Sequence, residues 1–197
     1  GEVYWTIHVP QGCRVSVVNT SGDIDISHIL GDLDIRTSSA EITLNSIEGQ
    51  INIENASGTT RGELLFGPVT LRQAQGEVDL RFVEGDIKIK SFAADISVRQ
   101  DRGSFDLTTS TGNVSIETYL DSSRDYFAET ESGNITVSIP ETSSGNLRIE
   151  SQTGDIRTDI PIAINSMSRR QIEGTFGVGG VSVHLMSISG DVTVAQF

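Results

Sequence analysis

The side chains here most able to do chemistry are carboxylates. The 197-residue chain carries 27 Asp and Glu against 14 Lys and Arg, a net charge of −13. Aspartates stacked along a nonapeptide solenoid can hold calcium, so the question is whether the acids repeat in register. One series reads Asp23, Glu41, Thr59, Glu77, Asp95, Asn113, Asn134, Asp155, Thr175 and Asp191, and a second reads Asp32, Gln50, Pro68, Asp86 and Ser104. Neutral residues interrupt both, and the doubled glycines of the calcium motif are absent. Unbroken carboxylates one coil apart would repel by about 0.9 kcal/mol per pair in water. The interruptions therefore read as charge management on a solvated face, with calcium the alternative, and the expectation is no cofactor and no metal.

Catalytic groupings are sparse. His8, His28 and His184 stand far apart, none at a metal-ligand spacing from another His, Cys or paired carboxylate. Cleavage of acidic polysaccharides needs basic residues gathered in a cleft, and Arg169–Arg170 is the one adjacent basic pair. The expectation is a protein that is not an enzyme. Tyr119, Tyr126 and Phe127 in the segment 117–132 are candidates for contacting a sugar or a protein partner. Counted from Gly133, however, Tyr126 falls on an inward position, which favours core filling. The acidic balance makes duplex nucleic acid and anionic lipid poor partners.

The elements that would position these groups are set by a ladder of small residues. Gly22, Gly31, Ala40, Gly49, Gly58, Gly67, Gly76, Gly85, Ala94, Gly103 and Gly112 follow one another at intervals of nine, and the series continues with altered spacing through Gly133, Gly154, Gly174 and Gly190. The turns alternate in kind. One class is small and mostly polar, as in Thr20-Ser21-Gly22; the other places an apolar residue two before the glycine, at Ile29, Ile47, Leu65 and Val83. The unit is therefore eighteen residues with two strands per coil. Residues two and four after each small residue are apolar, as in Ile24/Ile26 and Ile87/Ile89, with polar residues between. This is the period-two signature of a strand with one buried face. The fold expected is an all-β, single-chain β-solenoid (parallel β-helix), a three-sided helix being the alternative.

Such a chain reads as one domain over 1–197, with 1–19 a cap at the amino end and 160–197 enlarged coils closing the other. Val192 and Val194 in the last strand would leave an edge open to a partner, and both ends of such a stack invite end-to-end self-association. Two coils break the pattern: the one after Gly58, where Thr60 and Gly62 stand at apolar positions, and the segment 117–132. Cys13 is alone, which excludes an internal disulfide and leaves the redox compartment open. No run of eighteen apolar residues occurs, and no basic region precedes an apolar one at the amino end, so neither a membrane span nor a signal peptide is expected in this chain.

The opening stretch V-P-Q-G-C-R-V-S-V-V-N-T-S-G-D-I-D-I, the recurring S-G-D-I and G-D-L-D-I units, and the closing G-D-I-R-T-D-I-P-I through S-R-R-Q-I-E-G-T-F-G-V-G-G to S-G-D-V-T-V carry a resemblance. From about Val9 to Val194 the chain resembles a bacterial β-strand-repeat family of unknown function that bears an adhesin label. The resemblance implies a β-solenoid outside the cytoplasm, secreted or anchored to the membrane, with a role at the cell surface or envelope toward a protein or glycan ligand. It implies no catalytic residues.

An inward position in a thin aliphatic core gives a buried carboxylate no water. Ile87→Asp or Ile96→Asp is expected to disrupt several coils, and Asp86→Asn, on the outer face, to be nearly neutral. Thermal melts of the three variants check this.

Overall fold

In the computed structural model, which describes residues 5–10, 12–121 and 124–197, the chain is all-β with no helix. The first coil holds β1 (Val15–Ser21) and β2 (Ile24–Leu30), and the second β3 (Leu33–Ser39) and β4 (Ile42–Glu48). β5 (Ile51–Phe66), β6 (Val69–Glu84) and β7 (Ile87–Arg102) each run through a whole coil, followed by β8 (Phe105–Thr111) with β9 (Val114–Thr118) and β10 (Asp125–Ser132) with β11 (Ile135–Ile139). Next come β12 (Gly145–Ser151), β13 (Ile156–Thr158), β14 (Ala163–Met167), β15 (Gln171–Phe176), β16 (Val181–Ser189) and β17 (Val192–Gln196). From β1 to β9 strand residues pair in parallel with those eighteen later, as Ile51 with Val69 and Val69 with Ile87, and from β8 and β9 to β10 and β11 the step is twenty-one. The fold is thus a β-solenoid with two strands per coil, and Leu33, Ile35, Ile42, Leu44, Ile47 and their equivalents are buried between the two sides.

The small-residue ladder has a steric cause. A Cβ on Gly58 would lie 2.0 Å from the carbonyl oxygen of Ala40, one on Gly76 1.9 Å from that of Gly58, and one on Gly112 2.1 Å from that of Ala94. At the opposite corner the same holds for Gly49, Gly67, Gly85 and Gly103, each over the carbonyl of the coil before. These glycines therefore rest their Cα on a carbonyl of the preceding coil, and only Ala40 and Ala94 in the ladder carry a side chain, of one methyl group.

Several of these carbonyls receive a side-chain donor. Three residues before each small-turn glycine or alanine stands a polar side chain pointing inward: Asn19, Thr37, Asn55, Gln73, Ser91, Thr109, Thr130, Ser187 and Ser151, consecutive in the strand register. Asn55 Nδ2 donates to Ala40 O at 3.0 Å, Gln73 Nε2 to Gly58 O at 2.9 Å, Thr130 Oγ1 to Gly112 O at 3.2 Å, and Ser187 Oγ to Gly133 O at 3.0 Å. Gln73 also accepts from Thr60 Oγ1 at 2.8 Å, which explains the polar residue at that inward position. A Cβ on Gly62 would meet Leu65 and Leu80 at 2.8 and 3.0 Å, so its bareness makes room for two leucines.

The two turn classes now have a physical distinction. At the other corner the residue three before the glycine is His28, Ser46, Leu64 or Phe82, and each adopts a left-handed backbone, φ 54 to 57°. The bulge turns that side chain outward and lets Ile29, Ile47, Leu65 and Val83 face the core. Each such residue carries about 1–2 kcal/mol of strain. At β7 the register shifts, and Gln100 turns in instead to donate to Gly85 O at 2.7 Å.

The outward Asp and Asn columns serve the same stacking. Asp32 Oδ1 accepts from the Gln50 N–H at 3.1 Å, Asp86 from Ser104 at 3.0 Å, Asp95 from Asn113 at 2.7 Å, Asn113 from Asn134 at 3.0 Å, Asn134 from Asp191 at 2.9 Å and Asp191 from Asp155 at 2.9 Å. Each staples the backbone of the next coil.

That sequence of staples departs from chain order. The seven coils up to Ile139 stack sequentially, but β16 lies between β10 and β12, and β17 between β11 and β13. Gly190 accordingly sits on Gly133 and beneath Gly154. The last strand is therefore interior, and Val192 and Val194, expected to border an open edge, are buried. Gly174, expected to be a turn, lies mid-strand in β15, which pairs antiparallel with β12 and β14 and covers the far end. Of the cap expected over 1–19, residues 1–4 and 11 lie outside the described residues. Residues 5–10 form no strand, with Trp5 84% and Ile7 76% exposed, and β1 and β2 each pair on one side only.

Gly76→Ala and Gly180→Ala separate the two roles of glycine. Both positions have strongly positive φ, +119° and +123°, but nothing lies within 4 Å of a Cβ on Gly180. Gly180→Ala is expected to cost about 1–2 kcal/mol and Gly76→Ala more than about 3 kcal/mol, read from urea unfolding.

Candidate functional site

Where the second corner loses its glycine, after Gly103, loops replace it, and loops on a rigid scaffold are where binding groups gather. The segment after β9 is held by the Tyr126 hydroxyl, which accepts from the Asp121 N–H at 2.7 Å. Burial raises the Tyr126 pKa above its ordinary value, and its ring meets Phe105 edge-on with centroids 5.1 Å apart. Tyr126 is thus a core residue that anchors the loop. Arg124 in that loop pairs with Asp86 of β6–β7's turn and approaches Asp121.

The other two aromatics go elsewhere. Phe127 faces outward from β10 against His184, 5.4 Å between centroids. Tyr119 stacks edge-on against Phe197 at 5.5 Å, and both rings are about half exposed. The three aromatics form no common platform. The pair that is accessible is Tyr119 with Phe197, a partner that sequence spacing cannot supply because β17 reaches Ile139 only through the interleaved coil.

The twelve turn glycines, Gly22 to Gly190, occupy corners and make backbone contacts; none offers a functional side chain. Cys13 is partly buried in the corner column, its carbonyl 2.4 Å from where a Cβ on Gly31 would stand. His184 Nε2 lies 3.4 Å from Glu150 Oε1. Arg169 and Arg170 sit exposed at the β14–β15 bend. Among the described residues, no three His, Cys, Asp or Glu side chains converge as metal ligands would.

Two shallow concavities mark the flanks. One, about 310 Å³, lies over Asp79, Arg81, Phe82, Arg99 and Glu117. Its charges are matched: Arg81 with Asp79 at 2.7 Å and Arg99 with Glu117 at 3.3 Å, with the Arg99 guanidinium 5.0 Å from the Phe82 ring centre. The hydrogen bond from Arg81 to Asp79 raises the arginine pKa further. The second, about 670 Å³, runs along the axis over β5–β7, past Glu54, Arg72, Lys90 and Phe92.

The carboxylates whose titration departs from normal are held ionised. Asp86 is lowered, first by the Ser104 backbone N–H and then by the Ser104 hydroxyl and Arg124, against its partial burial. Glu150 is lowered first by Arg148, 2.5 Å away, and then by His184. A general acid at neutral pH needs the opposite shift.

A family model described as Toastrack DUF4097 matches residues 6–195. Neither a curated protein nor a solved structure matches the chain.

Asp86 stands in a different position from the neutral one expected, because it bridges two coils and the 117–132 loop. Its lowered pKa contributes stability that is present above the unfolded value of about 3.9 and is lost as pH falls through the folded value. Asp86→Asn is expected to lose about 1 kcal/mol at pH 7 and to flatten the fall of the urea midpoint between about pH 5 and 2. An unchanged acid limb contradicts this.

Proposed function

We propose that this chain, which belongs to the Toastrack DUF4097 family of unknown function, is a non-enzymatic interaction module of the cell envelope or cell surface. The observation that carries the proposal is the nature of the outer faces. They are rigid, axially continuous ladders of charged and polar side chains, with open and shallow concavities. A small-molecule site encloses most of its ligand's surface; a flank of this kind suits contact with something large and extended. The carboxylates with altered titration are tied up in ion pairs and backbone staples, which supports binding over acid–base chemistry. The extracytoplasmic placement rests on the family resemblance, and the ligand class, protein or glycan, on the exposed Tyr119–Phe197 pair and the charged flanks.

A second reading, self-association through the solenoid ends, is favoured by the unpaired edges of β1 and β2, where Val15, Val17 and Ile26 are only partly buried. The ends are unequal, because β14 and β15 cover β12 at the far end. An isologous contact through the amino end closes on itself as a dimer, whereas a filament needs two free ends.

A panel of immobilised glycans, matrix proteins and envelope fractions tests the first reading. Salt-sensitive binding without turnover is expected; no binding to any member, or turnover abolished by a single carboxylate replacement, contradicts it. Sedimentation across a concentration series tests the second, with a species no larger than a dimer expected and growing polymers contradicting it.

A further inference from the structure

The axial groove over β5–β7 brings two basic side chains together on neighbouring strands with little carboxylate to balance them. Most basic side chains pair with a carboxylate, as Arg14 does with Asp34, Arg61 with Glu41 and Lys88 with Asp106. Among the described residues Lys90, like Arg102, Arg169 and Arg170, has no such partner, and it stands beside Arg72 in the strand register. Arg72 has only a distant one, Glu54 at 3.9 Å, which Arg36 shares at 3.5 Å. Like charges opposite one another on adjacent strands destabilise a sheet, so an uncompensated Arg72–Lys90 pair on a chain of net charge −13 is a local cation site awaiting an anion. Beyond about 8 Å at physiological ionic strength the remaining negative charge is largely screened, so the pair governs what lies directly over it.

The walls of the groove extend the argument. The bulged positions Ala56 and Ala74 are skipped in the strand register and carry only a methyl group, so the outer wall is notched. Phe92, the next bulged residue, is 64% exposed and closes one end with an aromatic face. Thr37, Asn55 and Ser91 border the groove with their backbone while their side chains turn into the core, so the surface it offers is the charged column and the Phe92 ring. From the level of Thr37 to that of Ser91 is three coil spacings, about 14 Å at about 4.8 Å each, and one such spacing is close to the length of one pyranose unit in a linear chain.

We propose that this groove binds a linear polysaccharide bearing carboxylate groups, its carboxylates on Arg72 and Lys90 and a sugar ring against Phe92. The assignment rests on the interaction-module reading and names its ligand class. A polypeptide is the weaker fit, because an extended peptide is recognised by adding to a strand edge, and this groove runs across the strands.

Polygalacturonate and its methyl ester, titrated against the full chain with chelator present, test the assignment. The acid polymer is expected to bind and the neutral ester to bind at least about tenfold more weakly, a difference of about 1.4 kcal/mol. Arg72→Ser, Lys90→Ser and Phe92→Ala should each weaken binding by about three- to tenfold, and Glu54→Gln should strengthen it, with all four melting like the parent. The gain in Glu54→Gln distinguishes a site from general loss of fold. Equal binding by the parent and the Arg72→Ser/Lys90→Ser double variant overturns the groove, as does preference for poly-glutamate over polygalacturonate. If polygalacturonate fails while another member of the panel binds, this assignment falls and the interaction module stands; if nothing binds, both fall.

Discussion

One close approach organises the molecule: the Cα of each turn rests on a carbonyl oxygen of the coil before. With hypothetical Cβ atoms falling 1.9 to 2.5 Å from that oxygen at Gly49, Gly58, Gly67, Gly76 and Gly85, the corner admits nothing larger than the methyl groups of Ala40 and Ala94. The contact holds successive coils in register at the corner, whether they are eighteen residues apart or, as from Gly112 to Gly133, twenty-one. It also creates a buried acceptor in need of a donor. Members of the inward polar column, among them Asn55, Gln73, Thr130, Ser187 and Ser151, supply that donor from the next coil, and the outward Asp and Asn column supplies an acceptor for the next backbone N–H. The corner is thus a vertical polar seam beside a vertical aliphatic core.

The seam also explains how the carboxy-terminal end is built. A coil inserted out of chain order must still present a small residue to the carbonyl below it, a polar donor three places earlier and an acceptor one place later. The coil of β16 and β17 does so with Gly190, Ser187 and Asp191, and the coil it separates from the rest does so with Gly154, Ser151 and Asp155. Any coil obeying this rule fits at any level, so interleaving satisfies the same contacts as sequential stacking. What it adds is topology: the last strand is held on both sides, and the antiparallel β14–β15 pair is left to cover β12.

Much of this is legible in the sequence because the repeat is local. Glycine at intervals of nine, with Ile24/Ile26 or Ile87/Ile89 following, states the turn and the inward face together, and the difference between Ile29 and Thr20 states that two corners exist. The polar seam is equally local, three before each small residue, yet Thr37, Asn55 or Gln73 read singly resemble the polar side of an alternating strand. Their burial follows only once the neighbouring residue is known to bulge outward. The acidic columns, legible as positions, disclose their role only through the backbone amide eighteen residues on. The placement of β16 and β17 is a matter of long-range parallel pairing, and with it the meeting of Tyr119 and Phe197; no nearby residue encodes either. For the same reason Gly174 passes for one more turn until β15 is seen to run antiparallel. The groove over Arg72 and Lys90 lies between: the charges sit in a column that alternates sign in its first members, and its break is visible in the letters.

The order of coils in space is the claim on which the rest turns, and native-state hydrogen exchange resolved by residue addresses it most directly. Amides of Val183, Leu185, Val192 and Val194 should exchange as slowly as those of β5 to β7, while β13 and β14 open faster. Exchange in β16 and β17 as fast as in an end strand would contradict the account.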